Sequence, residues 1–331
     1  MKIVAIAFFS AFVAVRCVAM DASELVMQNL HERGLRVGYN SDRNAYITIA
    51  DCEVYRSRNE TERNKAVECA YMKALAKMAI SVSKMENLAG SVSGRSISAS
   101  NRSIVGKSVV AKSLFQCETK GSEPGYKVSL ALVSSEKVFK AASAALSSNT
   151  AAVPQHSSTQ TTLSEWVEQN YLSFLGSSVF HDSPSHFWVL GVVSQEADDA
   201  NSDLGRLIQK AAYMAESAFG GRVEVAESAS MAEKPDVTPG GRPKETQEMF
   251  REDVSQHHEY LLSYASDDAR LERRIKLTPY LRINPNSSRI NWFVRTGVRP
   301  ATGKRIRVAI AAIDSDDLHE FASPDVKPDL H

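Results

Sequence analysis

Residues 23–29 read SELVMQN, and a closely related stretch, SEWVEQN, occupies residues 164–170. Five of the seven positions are identical at an offset of 141 residues. At the same offset, the apolar segment AYITIADC (45–52) aligns with HFWVLGVV (186–193), and both segments have the composition of buried strands. A repeat of this length predicts two related modules in tandem.

An alanine-rich helix is predicted after each of these strands, at about 60–84 in the first module and 202–219 in the second. Because the apolar positions of the two helices also differ by 141, the same face of each helix should pack closely on a sheet. These positions are Val67, Ala70, Ala74 and Met78 in the first helix, and Ile208, Ala211, Ala215 and Phe219 in the second.

Each module closes with a strand–turn–strand pattern, at 115–133 and at 292–311, with Gly and Pro in the turn. The two hairpins align at an offset of 178, which predicts 37 additional residues in the second module, somewhere within about 227–277. We therefore predict an α+β fold with two tandem duplicated modules. Each is expected to be a mostly antiparallel sheet packed by a long Ala-rich helix on one face.

The N-terminal residues are typical of a secretory signal peptide, because Lys2 precedes an apolar run from Ile3 to Val15 and small residues lead to Ala19. A cleaved signal peptide implies a periplasmic or secreted location. The predicted boundaries are a signal peptide at 1–19, a first module at 20–147, a flexible linker at 148–162, a second module at 163–313 with an insert at about 231–270, and an unpacked polar tail at 314–331.

Composition excludes some classes of function. Lys plus Arg and Asp plus Glu both number 39, so no excess positive charge favours nucleic-acid binding. No segment after the signal peptide is long and apolar enough to predict a transmembrane helix.

Three cysteines, Cys52, Cys69 and Cys117, remain after the predicted cleavage. Cys52 and Cys117 both lie in predicted strands and are candidates for a disulfide across a sheet. Their alternative role as small apolar core residues stays open. Cys69 is expected to point away from the buried stripe of its helix, between two lysines, as an accessible free thiol.

The insert is predicted to contain an amphipathic helix, because apolar residues recur there at spacings of three and four. That face either packs on its own module or docks a partner. Its residues are Phe250, Val254, His257, Leu261 and Tyr264. A Ser-rich segment before the first hairpin predicts either a polar edge strand or a loop.

No catalytic, metal or cofactor site is predicted. The histidine pairs His181/His186 and His257/His258 lack the four convergent ligands of a zinc site. The aspartates at 314–317 lack the Gly and Glu of a calcium loop.

The stretch RNKAVECAYMKALAKMA (63–79), an Ala-rich helix that follows a buried strand, resembles the small envelope modules of flagellar-assembly and curli-export accessory proteins. This resemblance implies a binding or assembly role in the cell envelope and assigns no site residue.

The leading hypothesis is a non-enzymatic exported protein that binds a protein or envelope component of a bacterium, with self-association as an open alternative. A hydrolase or small-ligand-binding enzyme with its site in the cleft between the modules is the second hypothesis. A thiol-dependent protein that acts through Cys69 is the third.

Overall fold

A four-stranded antiparallel sheet lies at the centre of each half of the chain in the computed structural model. The structure describes residues 20–54, 59–89, 102–120, 126–147, 161–183, 186–198, 203–231, 247–253, 259–265, 269–300 and 302–324. The predicted signal peptide and residues 148–160 of the predicted linker lie outside the described residues.

The N-terminal half, residues 20–147, has the sheet order β1-β2-β5-β4. The long helix α2 begins where the sequence predicts and continues five residues further. The elements in chain order are α1 (Ala22–Glu32), β1 (Gly38–Asn40), β2 (Ala45–Val54), α2 (Glu60–Ala89), β3 (Arg102–Val109), β4 (Lys112–Lys120), β5 (Tyr126–Ser135) and α3 (Glu136–Ser147).

The C-terminal half, residues 161–324, repeats this pattern with the sheet order β6-β7-β13-β12. In both sheets the second strand and the last strand of the half are the central pair, and all pairs are antiparallel. The elements are α4 (Leu163–Asn170), β6 (Gly176–His181), β7 (Phe187–Glu196), α5 (Leu204–Ala218), β8 (Gly221–Met231), β9 (Gln247–Asp253), β10 (Glu259–Ala265), β11 (Ala269–Pro279), β12 (Ile290–Val298), β13 (Arg305–Asp314) and a 3-10 helix (Ser315–Phe321).

The glutamates that are identical in SELVMQN and SEWVEQN have local roles at the start of α1 and α4. Glu24 accepts a hydrogen bond from the backbone N–H of Asp21 (3.1 Å), and Glu165 accepts one from the N–H of Thr162 (2.8 Å). Each glutamate therefore completes a capping box at the N-terminus of its helix.

A third sheet, of order β3-β8-β11-β10-β9, joins the two halves, because β3 comes from the first half and the other strands from the second. The predicted insert helix is wrong: Phe250 lies in β9, whereas Leu261 and Tyr264 lie in β10. Val254 and His257 lie outside the described residues. Spacings of three and four arise by chance when apolar residues occur on both faces of two adjacent strands.

Helix α2 lies among all three sheets, and every residue from Ala66 to Ala76 is buried. A helix that is apolar on all sides belongs in a core. Helices also cover both faces of each four-stranded sheet, since α1 contacts the face of Ile47 opposite to α2. The prediction of a helix on one face only is therefore incomplete, and the two halves share one continuous core.

The offset of 141 matches the faces of β2 and β7. Thr48 donates a hydrogen bond to the carbonyl of Ala74 in α2 (3.1 Å), so even-numbered residues of β2 face this helix. Odd-numbered residues of β7 face α5, because a Cβ at Gly191 would overlap the backbone of Ala211. An odd offset exchanges even for odd positions, so both strands present equivalent faces to their helices.

The offset of 178 for the closing hairpins is wrong. Ala50 pairs with Leu130, and Gly191 pairs with Ala311, so the observed registers relate β5 to β13 by 181 residues. An even offset such as 178 would align opposite faces of these strands. Near the centres of β5 and β13, residues on both faces are buried, so small and apolar residues occur at odd and even positions alike.

The predicted polar tail packs against the C-terminal half at its beginning. Leu318 and Phe321 in the 3-10 helix are buried in the core, and Leu281 forms an isolated bridge with Ala322. The two apolar side chains lie three residues apart and face the core together, which outweighs the polarity of their neighbours.

None of the helices in the described part of the chain has the length and hydropathy needed to cross a membrane.

Candidate functional site

A cavity of about 640 Å³ lies between the two halves. The N-terminal half contributes the start of β4, one residue of β5 and the inner face of α3. The C-terminal half contributes the end of β6, the loop after it and two phenylalanines. The volume lies within the range of about 300–1,000 Å³ that is usual for small-molecule sites.

The walls of this cavity, here named the main cavity, are predominantly apolar. Helix α3 forms one wall, with Val138 directed inward and with the small residues Ala141 and Ala142 leaving space beside it. Ser135 begins this helix by accepting a hydrogen bond from the N–H of Val138 (3.3 Å). The other apolar wall residues include Val110, Val179, Phe187 and Phe219.

Two basic side chains, Lys112 and His181, stand at the edge of this apolar space. Burial lowers the pKa of Lys112. Burial and the positive charge of Lys112 lower the pKa of His181 to about 4, so the imidazole is uncharged at neutral pH. The ammonium group of Lys112 makes neither an ion pair nor a hydrogen bond within the described part of the chain.

The carboxylate that lines the main cavity, Asp182, is already engaged. Its Oδ1 accepts a hydrogen bond from Nδ1 of His186 (2.6 Å), and its Oδ2 accepts one from the indole of Trp188 (3.0 Å). Nε2 of His186 donates to Asp314 (2.9 Å), and the hydrogen bond to Asp314 is the largest of the effects that raise the pKa of His186 to about 9. His186 is therefore an imidazolium that is hydrogen-bonded to two carboxylates.

Ligand atoms of His186, Asp314 and Asp316 lie within 4.8 Å of one another, a spacing that could hold a metal ion. A metal requires a lone pair on the imidazole, however, and His186 is protonated and donates from both nitrogens. These residues therefore fit an ion pair better than a metal site.

A second cavity of about 440 Å³ adjoins the first, and Lys112, His181 and Phe180 line both. Polar groups are more prominent in this smaller cavity, here named the side cavity. Gln116 lines it, and the buried Nε2 of this amide has no hydrogen-bond partner in the described structure. Trp166 stands at the same wall.

A different kind of contact joins the halves at the start of α2. Nε and Nη2 of Arg299 donate to the two carboxylate oxygens of Glu60 at 2.6 and 2.7 Å. Arg299 also donates to the carbonyl of Leu172 (2.6 Å) and to the hydroxyl of Ser194 (3.1 Å). Burial alone would raise the pKa of Glu60, but Arg299 holds it below its usual value.

The cysteine predictions are wrong. Cys52 and Cys69 form a disulfide that joins β2 to α2, with their Cα atoms 6.0 Å apart. Cys69 is completely buried, because α2 has a sheet on every side where a lysine face was expected. Cys117, in β4, lies outside this disulfide.

The predicted docking residues do not form one face. Phe250 lies in β9, and Leu261 lies in the neighbouring strand β10 of the third sheet. The two strands are antiparallel, with Glu259 opposite Asp253.

Sequence reasoning missed the residues of both cavities and the Glu60–Arg299 pair. Glu60 and Arg299 are 239 residues apart and have no local pattern in common. One signal was available: the fragment HDSPSH (181–186) supplies His181, Asp182 and Ser183 to the lining of the main cavity.

No protein-family model, curated protein or solved structure matches this chain.

Proposed function

We propose that this protein is a non-enzymatic, exported binding protein of the bacterial cell envelope that holds a small ligand between its two halves. The observation that carries the proposal is the apolar main cavity, which both halves form together. Ligand sites occur preferentially at such junctions, where an apolar wall supplies affinity and a few polar groups orient the ligand.

The polar groups of the main cavity favour binding over hydrolysis. His181 would need a carboxylate partner to act as a general base, but its neighbour Asp182 is hydrogen-bonded to His186 and Trp188. Among the described lining residues, no serine or cysteine is hydrogen-bonded to a histidine or carboxylate as a nucleophile–base pair would be. We therefore retain the cleft between the halves as the binding site, as in the second hypothesis. We do not retain the hydrolytic activity that this hypothesis included.

Export rests on two independent features. The sequence begins with the pattern of a signal peptide, and Cys52 and Cys69 form a disulfide, which persists chiefly in oxidising compartments. The same disulfide removes the thiol on which the hypothesis of Cys69-dependent activity depends. Fractionation of cells that express residues 1–19 fused to a reporter tests the location, and a cytoplasmic reporter would contradict it.

Internal duplication accounts for a cavity between two similar halves. Support comes from the equal strand orders, the repeated capping glutamates and the faces conserved at an offset of 141. We infer that two copies of one module combined, and that the third sheet and the cavities arose where the copies differ.

Binding of an uncharged apolar fluorophore, N-phenylnaphthylamine, tests the proposed function. We expect saturable binding of one molecule per chain, and its loss in Ala141→Phe, because the new ring fills the main cavity. Ala144→Phe is the matched control, since Ala144 lies on the same helix, exposed and outside the lining. Equal binding by both variants, or none by the original protein, would refute the proposal.

A further inference from the structure

We infer that the ligand is an amphipathic acid, with its anionic head beside Lys112 and its apolar body in the main cavity. This inference rests on the proposed function and specifies the class of ligand. Three features of the lining support it: an ammonium group with no ion pair in the described structure, a long apolar wall, and a polar side cavity at their junction.

The charge of the lining is complementary to an anion. Lys112 has no ion-pair partner among the described residues, and the exposed Lys137 adds a second positive charge at the rim. Asp182, the carboxylate among the described lining residues, offsets only part of this charge, because it is itself paired with His186. A partly buried ammonium group is stabilised by an anionic partner, and a ligand carboxylate would supply one.

The apolar wall is suited to the remainder of such a molecule. Val110, Val138, Phe187 and Phe219 surround the main cavity, so an acyl chain there would lose its contact with water. Each methylene group that is transferred from water into the cavity adds to the affinity. The hydrophobic effect would therefore supply most of the affinity, and the charge would supply the selectivity.

The side cavity has the hydrogen-bonding groups that an acidic head requires. Gln116 presents a buried N–H group without a partner in the described structure, and a carboxylate oxygen is a suitable acceptor for it. His181, which is uncharged and hydrogen-bonded to the backbone of Ser183, also lines this cavity. Because Lys112 and His181 line both cavities, a head at this junction lies next to the apolar space.

Calorimetric titration of the purified protein with laurate and with dodecanol tests this assignment. These probes have equal chain lengths and differ in the head group. We expect laurate to bind more tightly, and Lys112→Met to weaken laurate binding by about ten- to a hundredfold, as for loss of a charged hydrogen bond. Dodecanol binding should change by less than about threefold, which also shows that the variant is folded.

Lys210→Met is the control for charge, because Lys210 is exposed on α5 and lies outside both cavities. It should leave laurate binding unchanged. Gln116→Leu should weaken laurate binding by about three- to tenfold. If laurate and dodecanol bind equally and Lys112→Met affects neither, this inference is wrong and the proposed function stands. If neither probe binds, the proposed function fails as well.

Discussion

The two halves meet in two chemically different ways. At the start of α2, Glu60 and Arg299 are 2% and 1% exposed, and all three guanidinium nitrogens of Arg299 donate hydrogen bonds to acceptors within the chain. Around Lys112, the halves leave a cavity of about 640 Å³ and an ammonium group without a described partner. The first contact is complete within the chain, whereas the second becomes complete with an anionic apolar ligand.

The first contact therefore concerns the stability of the fold, and the second concerns ligand binding. A buried ion pair is costly to break on one side, so Glu60 and Arg299 fix how the halves are placed. The lining of an apolar cavity lacks packing partners on one side, and the proposed ligand would supply them. The following variants test the two parts of this comparison separately.

Removal of Arg299 should have the largest effect. Arg299→Met leaves the buried carboxylate of Glu60 without its main partner, and we expect the free energy of unfolding to fall by about 3–5 kcal/mol in urea denaturation. Arg295→Met is the control, because its pair with Glu168 is exposed, and should cost at most about 1 kcal/mol.

The double variant Glu60→Leu/Arg299→Met should lose less stability than Arg299→Met alone, because it leaves no unpaired buried charge. Equal losses in Arg299→Met and Arg295→Met would show that the Glu60–Arg299 contact does not hold the halves together.

Loss of the disulfide should have the next largest effect. It also tests the stability of the region around the Glu60–Arg299 contact, because Cys69 lies in the helix that Glu60 begins. Cys52 and Cys69 are 17 residues apart in the sequence. The double variant Cys52→Ala/Cys69→Ala should therefore lower the free energy of unfolding by about 3 kcal/mol. A non-reduced digest should contain the peptide pair linked through Cys52 and Cys69, and Cys117→Ser should retain it. A peptide that links Cys117 to Cys52 would contradict the structure.

The pH dependence of stability tests His186, which is paired with Asp182 at the cavity. The folded-state pKa of His186, about 9, lies above the unfolded value near 6.5. Its contribution is therefore complete below pH 6.5 and is lost as the pH rises to 9. After allowance for solvent screening, we expect a decline of about 2 kcal/mol over this interval.

His186→Gln should remove that decline, whereas His31→Gln, on the exposed side of α1, should keep it. A decline that survives in His186→Gln would assign the titration to another group.

The smallest effect on stability should come from filling the main cavity. Ala141→Phe adds a ring where space exists, so the free energy of unfolding should rise by about 0.5–1 kcal/mol, or stay unchanged. Ala144→Phe should not change it. A loss of about 1–3 kcal/mol in Ala141→Phe would indicate overpacking and a cavity too small for a ligand.

Local patterns were sufficient for much of the fold. The strand β2 and the start of α2 were predicted correctly from their apolar patterns. The sheets that cover α2 come from distant segments of the chain. The burial of Cys69 could therefore not be predicted from its neighbours in the sequence. The pairing of β3 with β8, which brings both halves into the third sheet, was missed because it joins residues more than 100 apart, as in Arg102 opposite Glu227.

The candidate site was less predictable than the fold. Lys112, His181 and Val138 come from three segments that carry no shared motif, and each looks ordinary in its local context. Their joint role depends on the cavity, which only the packing of the two halves creates.

Hydrogen–deuterium exchange of the protein with and without laurate tests the central claim most directly, because it reports on both contacts at once. Slower exchange should be confined to peptides that cover residues 110–116, 137–142 and 179–187, with no change in peptides around Glu60 and Arg299. Protection at the Glu60–Arg299 contact, or no protection along the main cavity at saturating laurate, would contradict the account.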